Sequence, residues 1–181
     1  MVGRSLFSLL AVAAVAIQSC VAALIPDGEY RIVIFGQGGL SAPSSYPGSP
    51  VWLSESEQTW IVQNLYNDVI SIRLGFYGSP VFAAPLQKAN HAPVQLNSDL
   101  TLWRVSRGEA GFILEPLTSP TGERLVLGIA PSDIEPRVVE IQKYEPGRKD
   151  QSWTFFRASN FKQETGNGCG PRRFPKDFFL Q

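Results

Sequence analysis

The 181 residues carry 16 basic and 16 acidic side chains with 44% hydrophobic and 11% aromatic content, which is apolar enough for a core and excludes a disordered chain. Formal neutrality removes the clustered cationic excess that a nucleic-acid binder needs. One His, one Met and two Cys leave most metal-site and redox-enzyme readings short of ligands, and no cofactor is implied.

At the N-terminus, Arg4 precedes an apolar run over residues 6–17, and a small-residue stretch follows it to Ala22 and Ala23. This is the pattern of a secretory signal peptide over residues 1–23. The run is shorter than the roughly 20 residues that span a bilayer, so a secreted, extracellular chain without a membrane anchor is expected. If Cys20 leaves with the signal, Cys169 stands alone between Gly168 and Gly170, and no intramolecular disulfide can form. The mature chain must then hold itself together by core packing, which its length permits.

Past residue 24 the periodicity is that of strands. Tyr30, Ile32 and Ile34 alternate with Arg31 and Val33, and Ile70, Ile72 and Leu74 alternate with Ser71 and Arg73, the period of two of a half-buried strand. Prolines recurring from Pro26 to Pro146 interrupt nearly every helical candidate. An all-β domain is predicted over 24–159, with a C-terminal tail over 160–181. The tail holds Phe161, Phe174, Phe178 and Phe179, so part of it is expected to pack on the domain or meet a partner.

The strands repeat. Gln58-Thr59-Trp60-Ile61-Val62, Thr101-Leu102-Trp103-Arg104-Val105 and Gln151-Ser152-Trp153-Thr154-Phe155 place their tryptophans 43 and 50 residues apart. Upstream of each lies another similar strand, with Val51, Val94 and Val139 spaced by 43 and 45. Each unit opens with a strand, at 28–32, 69–72 and 111–114, and has a short second strand near Leu40, at 81–82 and at 125–127. Three four-stranded units of about this length look like a β-trefoil with pseudo-threefold symmetry, in which six strands close a barrel and six cap it. Closure removes exposed strand edges. Trp60, Trp103 and Trp153 are then predicted to be core residues.

On these motifs the span from Ile25 to about Ser159 resembles the fungal β-trefoil protease inhibitors of the cospin type. Their opening Gly-x-Tyr-x-Ile strand is matched by Gly28-Glu29-Tyr30-Arg31-Ile32, and their Trp-x-Ile/Val fourth strand by Trp60-Ile61-Val62. The Gln-x-Trp signature of ricin-B-type trefoil lectins is matched as well, at Gln58 to Trp60 and Gln151 to Trp153. The first resemblance implies an inhibitor of serine proteases whose partner is the target protease, with the signal peptide a departure from the many cytoplasmic members of that kind; the second implies a carbohydrate-binding lectin whose partner is a glycan. Either would act as a monomer, and neither implies an enzyme.

An inhibitor of the substrate-like kind needs a rigid, exposed loop that loses little entropy on docking. Three proline-stiffened segments qualify, over 42–50, 85–93 and 143–150. They supply Ser45, Tyr46 and Pro47, then Lys88 and Asn90, then Arg148 as inhibitory-loop candidates, with Lys88 suited to an acidic specificity pocket. For the lectin alternative, Trp52, Asn64, Tyr66, Asn67 and Asp68 are a candidate sugar cluster, although Gln95 and Glu140 stand where the other units would need an aromatic. Catalysis has little to draw on. His91 is the one imidazole, no nucleophile elbow occurs, and the glycines at 36, 38 and 39 precede a proline-rich stretch that cannot supply a phosphate-binding helix.

Overall fold

The computed structural model of the chain describes residues 24–55, 58–66, 68–75, 80–117, 122–132 and 135–158. The expected signal segment, Cys169 and the tail from 160 lie outside the described residues. The first unit contains β1 (Gly28–Ile34), β2 (Gly38–Ser41), β3 (Trp52–Ser54) and β4 (Trp60–Tyr66). The second has β5 (Val69–Leu74), β6 (Phe82–Pro85), β7 (Val94–Asn97) and β8 (Leu102–Arg107). The third has β9 (Phe112–Pro116), β10 (Leu125–Ile129), β11 (Val139–Lys143) and β12 (Thr154–Arg157). Each falls on a strand that the repeat pattern predicts.

First and fourth strands build the barrel wall. Antiparallel ladders join β12 to β1, β1 to β4, β4 to β5, β5 to β8 and β8 to β9. The ring closes where Phe112 and Trp153 exchange backbone hydrogen bonds of 2.8 Å each. Gly111 makes that closure possible, because a Cβ there would stand 2.6 Å from the Trp153 carbonyl oxygen. Second and third strands pair as hairpins, β2 with β3, β6 with β7 and β10 with β11. The hairpins meet through their third strands: the Val51 amide donates to the Val94 carbonyl at 2.9 Å and the Val139 amide to the Val51 carbonyl at 3.1 Å. All three valines are fully buried.

The repeated tryptophans fasten hairpin to wall. Each ring is fully buried, and each indole N–H reaches a carbonyl on the second strand of its own unit: Trp60 to Leu40 at 2.8 Å, Trp103 to Ala83 at 3.0 Å, Trp153 to Leu127 at 2.9 Å. Around them Ile32, Ile34, Leu53, Ile70, Ile72, Leu74, Leu96 and Leu114 complete one core. The Gln-x-Trp signature has a structural job too. Gln58 Oε1 accepts from the Ser41 hydroxyl at 2.8 Å and from the Ala42 amide, so the glutamine holds the chain as it leaves β2.

One local expectation differs. The strand predicted from Gln151 begins at Thr154, and Lys149–Gln151 form a short 3-10 turn, because the Gln151 side chain turns inward to bond the preceding loop. Replacing Trp103 with Ala removes a filled core volume and a satisfied donor together. Trp103→Ala is expected to cost roughly 3–5 kcal/mol, read as a shift of the urea midpoint; a loss under ~1 kcal/mol would contradict the shared core.

Candidate functional site

The connection between β11 and β12 is held from beneath by buried side chains. Gln151 is completely buried; its Oε1 accepts from the Glu145 amide at 3.0 Å, and its Nε2 donates to the Lys143 carbonyl at 2.9 Å and to Gln142 Oε1 at 3.2 Å. Gln142 is buried beside it and donates to Glu140 Oε1 at 3.1 Å. Between these anchors the chain reverses over residues 145–148, where the Arg148 amide donates to the Glu145 carbonyl at 3.3 Å. Gly147 has φ +79°, a left-handed backbone that suits the third position of a turn led by Pro146.

That turn aims Arg148. Its Nε donates to Asp150 Oδ1 at 3.0 Å, a second bond runs from Nη2 to Asp150 Oδ2, and Nη1 lies 3.3 Å from Glu145 Oε1. The two-toothed contact with Asp150 fixes the guanidinium plane. Hydrogen bonding to Asp150 raises the arginine's pKa, opposed by burial and reinforced by the charges of Asp150 and Glu145. Its positive charge is therefore permanent at any working pH.

Two concavities flank this segment. A recess of about 110 Å³ lies against the turn between β8 and β9, where Glu109 and Ala110 face Tyr144, Glu145 and Arg148. The Glu109 carboxylate is 3.8 Å from the position a Gly147 Cβ would take, so it overhangs the glycine turn. Tyr144 is half-buried, with the Arg124 guanidinium 4.1 Å from its ring centroid. On the other side a groove of about 590 Å³ is lined by Gln37, Ala130, Ser132, Arg137 and Asp150. Arg137 holds its wall by donating to Gln37 Oε1 at 2.8 Å, to the Gln37 carbonyl at 2.9 Å and to Glu135 at 3.1 Å. Arg148 and Lys149 line both concavities.

The inhibitory-loop candidates are scattered over three connections. Ser45, Tyr46 and Pro47 are exposed between β2 and β3, and Lys88 and Asn90 are exposed between β6 and β7. Asn90 Oδ1 also accepts from the Lys143 amide at 3.0 Å. Arg148 is not a free cation, being held by Asp150 and Glu145. The candidate sugar cluster divides, with Trp52 apart from Asn64, Tyr66 and Asp68. Trp52 sits in the cap, opposite Ser41 and bridged to Val138, whereas Tyr66 ends β4 six residues beyond the capped Trp60, roughly 20 Å along an extended strand. At that far end Asn64 donates from its amide to Asp27 at 2.6 Å and from Nδ2 to the Ile25 carbonyl at 3.3 Å, and Asp68 pairs with Arg104 at 3.6 Å. Asn67 lies outside the described residues. His91, at φ +62°, faces Glu140 at 2.9 Å and is 65% exposed. Tyr144, Glu145 and Asp150 lie in the 143–150 segment singled out from sequence without being named as site residues, and Glu109, in the β8–β9 turn, carried no sequence signal.

No protein-family model and no curated protein sequence matches the chain. Among solved structures, it is similar to the Rhizoctonia solani agglutinin, at 15% identity and TM-score 0.61 over 74% of this chain and 96% of that one. It is also similar to a ricin B-like lectin of Macrolepiota procera in complex with lactose, at 17% identity and TM-score 0.56 over 75% of this chain and 99% of that one. The chain has the β-trefoil fold of these proteins. The protease-inhibitor expectation is corrected by this result: the matching trefoils are an agglutinin and a lectin, and the basic candidate Arg148 is tied into ion pairs that a specificity pocket would have to break.

Gln151 is the support on which the site depends. Gln151→Leu strips the Glu145 amide and the Lys143 carbonyl of partners, and should cost about 1–3 kcal/mol in urea unfolding; an unchanged midpoint would show that the loop stands without it.

Proposed function

We propose that this chain is a glycan-binding protein and not an enzyme, with its sugar site in the third-unit recess. The observation that carries the reading is the composition of that recess, on a fold similar to those of an agglutinin and a lactose-bound lectin. Sugar hydroxyls both donate and accept, so a sugar site needs fixed groups of both kinds. Glu109 and Glu145 supply acceptors, Arg148 and Lys149 supply donors, and Tyr144 supplies an aromatic edge of the amphipathic kind found where an apolar body meets water. The buried Gln151 bonds hold Glu145 in place before any ligand arrives, which lowers the ordering cost of binding. Secretion, proposed from the N-terminal segment, would bring such a binder to extracellular glycans.

Binding of the full chain to a glycan array, followed by titration calorimetry on the strongest hit, tests the reading. Glu109→Gln keeps the size of the side chain but removes the charged acceptor, and should weaken binding by about tenfold or more, or ~1.4 kcal/mol. Trp52→Ala, in the cap, should leave the affinity unchanged. A blank array, or the reverse ranking of the two variants, would overturn the assignment.

A further inference from the structure

We infer that the ligand is a neutral oligosaccharide of at least two linked rings, lying across the Arg148–Lys149 ridge with one end in the recess and the rest in the groove; this rests on the glycan-binding reading. Two features of the surface carry it.

The first is continuity and size. Arg148 and Lys149 line the recess and the groove alike, so the concavities are neighbours across one short segment. The recess, at about 110 Å³, is well below the roughly 300–1,000 Å³ of a site that encloses a whole small-molecule ligand. The groove, at about 590 Å³, falls inside that range. A single ring in the recess would leave the larger concavity empty, whereas a chain crossing the ridge uses both. The ridge is also fixed, since Arg148 is clamped by Asp150 from the groove side and by Glu145 from the recess side.

The second is charge. Across the two concavities Glu109, Glu145 and Asp150 are matched by Arg137, Arg148 and Lys149. Arg137 and Arg148 are already paired with carboxylates. A surface whose guanidinium groups are neutralised in place offers no net attraction to a sulfated or carboxylated sugar, but it presents alternating donors and acceptors to hydroxyls. Its affinity should therefore respond little to salt.

The test uses the full chain and four ladders of one to five residues, three neutral (β-1,4-linked glucose, β-1,4-linked N-acetylglucosamine and galactose-containing units) and one sulfated, measured by calorimetry at low and high salt. At least one neutral ladder should gain tenfold or more in affinity between one residue and three, and the gain should change less than twofold with salt. Ser132→Trp fills the groove from an exposed position and should abolish the gain while leaving the single-ring affinity intact; Gln37→Ala, which loosens the Arg137 wall, should reduce it. Equal affinity for one residue and five, retention of the gain in Ser132→Trp, or strongly salt-dependent preference for a sulfated ladder would overturn the inference and leave glycan binding standing. No binding to any ladder or array member would overturn both.

Discussion

Everything in this molecule hangs on three buried indole N–H groups finding three carbonyl oxygens. Trp60, Trp103 and Trp153 each join the fourth strand of a unit to its second, and thereby lock a capping hairpin onto the barrel wall. A buried indole without a partner is costly, so the bond and the ring packing are satisfied together or not at all. The constraint is repeated because no single unit can bury its own apolar face. Val51, Val94 and Val139 complete that burial by meeting where the three hairpins converge.

With the scaffold fixed in this way, difference is confined to the connections. The second and third units show how far they diverge. Thr101 occupies the position that Gln58 and Gln151 hold in the other units, and its hydroxyl reaches only as far as the nearby Asp99 carbonyl, at 3.4 Å. Gln58 is spent on holding the exit of β2, whereas Gln151 organises a whole turn with charged side chains on it. In the third unit the same signature position thus becomes the foundation of a recess. The pseudo-symmetry of the core does not extend to the surface, and a site in one unit does not imply a copy in the others.

The strands were readable because burial on one face writes itself into sequence as a period of two, and because Trp and Val recur at unit spacing. The site was not readable for the opposite reason. Arg148 looked like an available cation until Asp150 and Glu145 were placed around it, and Glu109 belongs to the recess only because the barrel brings the β8–β9 turn beside Gly147. Trp52 and Tyr66 are near in sequence, yet β4 carries the tyrosine away from the cap that holds the tryptophan. Proximity along the chain misled there, and proximity across units was invisible.

The proposed sugar site lies between the β8–β9 turn and the β11–β12 connection. A crystal structure of the chain with its strongest oligosaccharide ligand tests it most directly. The expected result is a ring seated against Glu109, Tyr144 and Glu145, with the oligosaccharide passing over Arg148 towards Gln37. A ligand seated instead on Trp52 in the cap, or beside Tyr66 and Asp68 at the far end of β4, would contradict it.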